Sequence, residues 1–167
     1  YSIKARLKNP YVSIHAFEPN KITIKQLKEN IIDLNIKVSD VAISDKCQKV
    51  LFTNQNAASR IVNDQSNDYP TFEVKTTTLD KYQEENNIDI KLIKIDTEGA
   101  ELSTIKSGLN TFKKTDSFLV GLFNPYTTSR FGYEANESAN FLIERLSFCL
   151  QGKFILPASF NSARYAK

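Results

Sequence analysis

The sequence predicts an α/β fold built on a mostly parallel β-sheet with helices on both faces. Short β-rich segments alternate along the chain with segments of helical periodicity. A buried strand at Ile93–Ile95 ends at an acidic, glycine-containing turn, and a helix follows that turn. A second carboxylate, Glu18, stands at the end of an earlier strand. Because ligands of open α/β sheets bind beyond the carboxyl ends of the strands, both turns are candidate ligand sites.

The length and composition are those of one globular domain. The chain has 167 residues, of which 41% are hydrophobic and 25% are charged. This length is sufficient for a substantial hydrophobic core. The sequence contains no methionine, and therefore no initiator. We therefore expect residues 1–167 to form a single domain that is incomplete at its N-terminus.

Composition also argues against several classes of protein. No apolar run approaches the roughly 18 residues that a membrane-spanning helix needs. The 22 basic and 19 acidic residues are mixed along the chain, without the basic stripe that nucleic-acid binding requires. One histidine and two distant cysteines exclude a histidine-rich metal site and favour reduced thiols. We expect a cytoplasmic protein and assign no metal-ligating residue, and both metal dependence and oligomeric state stay open.

The elements of the first half follow from periodicity and from breaking residues. Apolar residues at helical spacing, such as Ile24, Leu27 and Ile31, predict the first long helix. Pro19 ends the strand before it, because proline cannot donate to a β-ladder. A polar segment at residues 54–70 is expected to be a loop or hairpin insertion. In order, the predicted elements are a helix end at 1–8, a strand at 11–17, a helix at 21–34, a strand at 36–43 and short strands at 50–52 and 72–76.

The second half of the sequence also alternates between predicted strands and predicted helices. Thr78 or Asp80 is the expected cap of a helix that runs to about Asn86. A later helix at 98–108 has apolar residues at inward-facing spacing, and Gly108 is suited to its end. Those inward-facing residues are Ala100, Leu102, Ile105 and Leu109. The remaining predicted elements are strands at 90–95, 117–123 and 153–156 and a helix at 137–150.

The sequence allows two interpretations of Glu18. A carboxylate at the end of an early strand can accept hydrogen bonds from both hydroxyls of a ribose, which favours a nucleoside-containing cofactor. Alternatively, Pro19 and the following helix make Glu18 a carboxylate that interacts with the helix dipole. The complete strand before it and the Pro-Asn pair after it favour the ribose role.

The sequence also allows two interpretations of Asp96 and Glu98. Their i, i+2 spacing places two carboxylates on one turn, where they could receive a substrate proton or hold a cation. The structural alternative is helix capping, with Asp96 or Thr97 as the cap and Glu98 in the first turn. Glu101 is expected to be structural, either satisfying amides of the first helical turn or pairing with a lysine. If Glu18 and Asp96 serve one ligand, they must share a cleft at one edge of the sheet.

Four segments of this sequence resemble the FkbM family of S-adenosylmethionine-dependent methyltransferases. They occur in the order and with the spacing of that family and cover about residues 1–115. The segment that ends in Asp-Thr-Glu-Gly-Ala-Glu is the most specific. The four segments are 15–20 (His-Ala-Phe-Glu-Pro-Asn), 41–45 (Val-Ala-Ile-Ser-Asp), 78–80 (Thr-Leu-Asp) and 88–101.

The resemblance implies a Rossmann-like class I methyltransferase sheet and S-adenosyl-L-methionine as cofactor. It places Asp96 near the sulfonium and the acceptor, with Glu98 beside it, and so makes both carboxylates the catalytic candidates. The implied cofactor-binding residues are Glu18, Pro19 and Asn20 at the ribose, Val41, Ala42 and Asp45 beside the adenine, and Asp96.

The implied reaction is methyl transfer to a hydroxyl of a small molecule, a sugar or a polysaccharide. The glycine-rich turn of the family, Asp-x-Gly-x-x-x-Gly, would lie just before Tyr1, and the first strand is expected to be absent or truncated. One alternative is therefore a non-catalytic Rossmann-like binding or assembly module. A nicotinamide dinucleotide enzyme is a third possibility, since its fold also uses an acid after the second strand. The sequence offers neither a Ser-His-Asp set nor a phosphate loop.

Overall fold

The computed structural model describes residues 1–55, 59–62, 69–114, 118–121 and 141. The chain divides into two compact units, Tyr1–Thr77 and Thr78–Lys167. Both units contain helices and strands, so the predicted α/β class is confirmed. Within the described ranges, no helix combines the length and the apolar character needed to cross a membrane.

The first unit begins with a strand–helix–strand motif. Strands β1 and β2 pair in parallel, with Ile14 opposite Ile36 and Phe17 opposite Ser39. Helix α2 connects them, because parallel neighbours require a crossover connection. The elements of this unit are α1 Ser2–Lys8, β1 Ile14–Phe17, α2 Lys21–Asn30, β2 Ile36–Ser39, β3 Ala42–Ile43, β4 Lys49–Thr53, β5 Ile61–Val62 and β6 Thr71–Thr77.

The second sheet of this unit corrects the expectation of a mostly parallel sheet. Its strand order is β3-β6-β4-β5, and only β3 and β6 are parallel. Strand β4 is antiparallel to both β5 and β6. The described chain has no helix between β4 and β6, and strands without a crossover connection pair antiparallel. The core of this sheet is formed by Ala42, Phe52 and Val74.

Two predicted boundaries in the first unit are wrong for local reasons. The strand expected at 36–43 bends at Asp40 and Val41, so β2 pairs with β1 whereas β3 pairs with β6. The helix expected at 21–34 ends at Asn30. Ile31 is buried in the turn that follows, which explains why the apolar periodicity continues past the end of the helix.

The second unit contains α3 Leu79–Asn86, β7 Leu92–Ile95, α4 Glu101–Lys106, α5 Leu109–Lys114 and β8 Phe118–Gly121. Strands β7 and β8 pair in parallel, with Ile95 opposite Gly121. Of the helix predicted at 137–150, the structure describes only Phe141, which is helical. The strand predicted at 153–156 lies outside the described residues.

Helices α3 and α5 contact each other through residues at their N-terminal ends. The Thr78 hydroxyl accepts from the Lys81 amide and caps α3, as one of the two predicted caps. Asp80 instead caps α5, because its carboxylate accepts from the Thr111 amide (2.7 Å) and the Thr111 hydroxyl (2.8 Å). Leu79 lies so close to Gly108 that only a glycine fits there without displacement. The predicted helix at 98–108 is therefore a shorter α4, and α5 begins directly after Gly108.

Candidate functional site

Glu18 lies at the carboxyl end of β1, as predicted. Its amide donates to Ser39 O (3.0 Å), which continues the pairing with β2 by one residue. Its half-buried carboxylate accepts from the Asn20 amide through Oε1 (2.8 Å). Burial raises the pKa of Glu18, and the Asn20 hydrogen bond partly opposes that rise. No described residue donates to Oε2, so one carboxylate oxygen has bonding capacity for a ligand.

Asn20 contributes to this site by hydrogen bonds to other residues of the chain and not by a side chain that is available to a ligand. It is 1% exposed, and its Oδ1 caps α2 by accepting from the Ile22 (2.9 Å) and Thr23 (3.2 Å) amides. Its Nδ2 donates to Ser59 Oγ (2.8 Å), and its carbonyl accepts from the Ile24 amide. These contacts, together with the Asn20 amide bond to Glu18, indicate that Asn20 fixes the turn on which Glu18 sits.

The base of the polar insertion is attached to the same turn. Ser59 Oγ, which accepts from Asn20, also accepts from the Gln55 amide (2.9 Å). Arg60 Nη1 donates to Gln55 Oε1 (2.7 Å), and the Arg60 amide donates to Thr53 Oγ1 (3.1 Å). The expected hairpin is present in part, since β5 pairs with β4. Sequence reasoning missed this network, although the many Asn and Ser side chains of the segment were a signal for it.

The residues predicted beside adenine differ in their surroundings. Ala42 is buried and packs in the core with Phe52 and Val74, so its side chain serves packing. Val41 is half-buried at the bend between β2 and β3. Asp45 is exposed and accepts from the Ser44 hydroxyl (3.2 Å). Their contact with a cofactor stays a prediction.

In the second unit, Asp96 and Glu98 lie on the turn that follows β7. Asp96 is exposed, and its Oδ2 pairs with Lys94 Nζ at 2.5 Å. Glu98 and Gly99 both have positive φ, 55° and 116°, which is left-handed backbone. The helix therefore starts only at Glu101, after Ala100, and no side chain caps it. The capping interpretation of Asp96 and Thr97 is wrong, because left-handed residues separate them from the helix.

Glu101, the first residue of α4, accepts hydrogen bonds from the turn that precedes the helix. Its Oε1 accepts from the Thr97 amide (2.9 Å), the Thr97 hydroxyl (3.1 Å) and the Gly99 amide (3.2 Å). The residue is 1% exposed, and its Oε2 is buried without a hydrogen-bond partner among the described residues. Glu101 therefore has a structural role, as expected, but the amides that it satisfies belong to the turn before α4 and not to the first turn of the helix.

The structure groups the predicted site residues into two sets. Glu18, Pro19 and Asn20 form one turn of the first unit, while Asp96 and Glu98 share one turn of the second. A cleft shared by Glu18 and Asp96 stays a prediction. In the described ranges, no group of three or more His, Cys, Asp or Glu side chains could hold a metal ion.

A cavity of about 360 Å³ lies at the amino-terminal ends of β1 and β2, away from Glu18. Arg6, His15 and Lys37 line it, and none of the predicted site residues does. Burial lowers the pKa of His15, and the nearby charge of Lys37 lowers it further. Arg6 is buried and donates to the carbonyls of Pro10 and Asn35, which links α1 to the start of β2.

Comparison with known proteins gives one family. A family model described as the methyltransferase FkbM domain matches residues 2–149. No curated protein and no solved structure matches the chain. The family match covers most of the sequence, including both turns that carry the candidate carboxylates.

Proposed function

Because this chain belongs to the FkbM methyltransferase family, we propose that it is an S-adenosylmethionine-dependent O-methyltransferase. The acceptor is a hydroxyl of a small molecule or of a sugar. The observation that carries the proposal is the Glu18 carboxylate, half-buried at the carboxyl end of a parallel strand with one oxygen that no described residue occupies. That is the position at which α/β sheets bind nucleosides.

The residues of the Glu18 turn fit the ribose of such a donor. A carboxylate offers about four lone-pair sites, and the Asn20 amide uses one of those on Glu18. Paired hydroxyls can therefore donate to the carboxylate without breaking the turn. Partial burial lowers the local dielectric, which strengthens each hydrogen bond that a ligand makes there. The donor, when bound, supplies an electrophilic methyl group on a sulfonium.

Asp96 is the proposed general base. Lys94 occupies its Oδ2, and no described residue donates to Oδ1. Asp96 Oδ1 would take the proton of the acceptor hydroxyl as the hydroxyl oxygen bonded to the methyl carbon, and the methyl–sulfur bond of the donor would break to leave S-adenosylhomocysteine. Glu98, on the same turn, is the second carboxylate that can orient the acceptor hydroxyl.

The cofactor role of Glu18 is tested by calorimetry on the full-length protein with S-adenosylmethionine and S-adenosylhomocysteine. Glu18→Gln should weaken the binding of both by about tenfold or more, the loss expected for hydrogen bonds to a charged group. Glu29→Gln replaces an exposed glutamate of α2 and should change nothing. Absence of binding to the wild-type protein would overturn the proposal.

The role of Asp96 is tested by transfer of an isotopically labelled methyl group to hydroxyl-bearing small molecules and glycans. Asp96→Asn should lower kcat by about a hundredfold or more. Asp89→Asn is the matched control, because it breaks the exposed Asp89–Lys91 pair of the same unit. If the wild-type protein binds the donor but methylates no hydroxyl, the binding-module alternative replaces the enzyme.

A further inference from the structure

The turn between β7 and α4 has an unfavourable backbone conformation. Glu98 and Gly99 are consecutive residues with positive φ. Glycine adopts this conformation freely, but a glutamate does so at a cost, because its Cβ approaches the backbone. Such conformations persist only where surrounding contacts hold them, and they cluster at functional sites. Something in the structure must therefore stabilise this turn.

The carboxylate of Glu101 supplies that stabilisation. One oxygen, Oε1, accepts three hydrogen bonds: two from Thr97 and one from the Gly99 amide. These donors lie on either side of Glu98, so the bonds fix the backbone on both sides of the left-handed glutamate. The acceptor is buried, and hydrogen bonds are stronger where the local dielectric is low.

The second oxygen of Glu101 indicates a role beyond stability. Oε2 is buried, and no residue in the described ranges donates to it. An unpaired buried oxygen costs free energy, so a residue kept only for stability would be better replaced by one without it. Glu101 is present although one of its oxygens is unpaired among the described residues, which indicates that the hydrogen bonds of Oε1 serve the geometry of the turn.

We propose that Glu101 is the positioning residue for Asp96 and Glu98. Its carboxylate holds the turn that carries both, and thereby fixes the carboxylate that takes the proton of the acceptor. Glu101 touches neither substrate nor donor in this role. The inference rests on the proposed function for its catalytic part, whereas the holding of the turn can be measured without any activity.

Amide hydrogen exchange, followed by NMR on the full-length protein, measures the holding of the turn. In Glu101→Ala the Thr97 and Gly99 amides should exchange about tenfold faster or more, the factor expected for the loss of buried hydrogen bonds. The Thr104 amide of α4, which donates to Ala100 O at the helix start, is the internal reference and should keep its rate. Glu101→Gln should restore most of the protection, because its carbonyl oxygen can accept the same bonds.

Methyl-transfer kinetics measure the catalytic part. Glu101→Ala should lower kcat about tenfold or more with little change in donor affinity, and Glu101→Gln should recover much of the rate. Glu84→Ala, which replaces an exposed glutamate of α3, should match the wild type. If Glu101→Ala does not fold, Thr97→Val serves instead, because it removes one of the three bonds, and Thr97→Ser should restore it.

The outcomes separate the two proposals. Unchanged exchange at Thr97 and Gly99 in a folded Glu101→Ala variant overturns the inference. Faster exchange with a wild-type kcat also overturns it, since the turn would then be held for stability alone. A wild-type protein that transfers no methyl group overturns the proposed function, while the exchange rates still decide whether Glu101 holds the turn.

Discussion

Replacing Gly108 with alanine tests the packing between the start of α3 and the start of α5 in the second unit. A Cβ at this position would lie 2.5 Å from Leu79 Cδ2 and 3.1 Å from Leu79 Cγ. Carbon atoms prefer separations of about 3.5–4.0 Å, so Leu79 or the backbone must move. Leu79 is 5% exposed, and its amide donates to Ser107 Oγ (3.0 Å). The leucine therefore has little room to move away.

The expected cost follows from two opposing terms. Overpacking of a buried site costs about 1–3 kcal/mol. Gly108 is not among the described residues with positive φ, so alanine meets no backbone strain and gains about 0.4–1 kcal/mol from a less flexible unfolded chain. The net loss for Gly108→Ala should be about 1–2 kcal/mol. Steric contact with Leu79 dominates this estimate.

A double-mutant cycle isolates that contact. Leu79→Ala alone should cost about 2–5 kcal/mol, as for other buried leucines. With Leu79 shortened, the alanine at 108 has space, so the double variant should lose less than the sum of the single losses by about 1 kcal/mol. The free energies of unfolding would come from urea titrations. Additive losses, or a Gly108→Ala variant as stable as the wild type, would refute the steric argument.

Three further changes have defined outcomes. Asp80→Ala removes the cap of α5 at Thr111 and should lower the free energy of unfolding in urea by about 1–2 kcal/mol. Lys37→Met should raise the pKa of His15 towards its ordinary value, but not fully, because burial remains the larger cause of the lowered pKa. NMR can follow the titration of the imidazole ring, since the chain has one histidine. The raised pKa of Glu18 stabilises the fold below the ordinary carboxyl range, and this contribution is lost as pH rises through the raised value. Unfolding measured across pH should therefore show Glu18→Gln equal to the wild type in acid and more stable than it at neutral pH.

The sequence predicted strand direction correctly where a helix separates two strands. The periodicity of Ile24, Leu27 and Ile31 indicated α2, and the strands on either side of it are parallel. The prediction failed where a polar insertion separates β4 from β6, because strand alternation alone does not show whether the chain crosses over or turns back. Direction is set by the connection, and the connection at residues 54–70 has no helical periodicity.

The turn at Asp96 shows a second limit of sequence reasoning. Gly99 signalled a sharp turn, and Glu101 was expected to satisfy first-turn amides or to pair with a lysine, whereas it accepts from amides that precede the helix. The left-handed conformation of Glu98 could not be predicted, because glutamate has no intrinsic preference for it. It is held by the hydrogen bonds of Glu101, a residue three positions later, whose donors lie on both sides of Glu98.

The segments that carry the family resemblance are of two physical kinds. In Thr78-Leu79-Asp80, each residue has a complete structural explanation, as a cap of α3, a buried contact of Gly108 and a cap of α5. In the turns of Glu18 and Glu101, by contrast, a carboxylate oxygen has no hydrogen-bond partner in the described part of the chain. The oxygen of Glu101 is buried, so its lack of a partner lowers stability, whereas the Glu18 carboxylate is half-buried and its second oxygen is available to a ligand. Substitutions of the first kind should therefore lower stability more than activity per folded molecule, and those of the second kind should do the reverse.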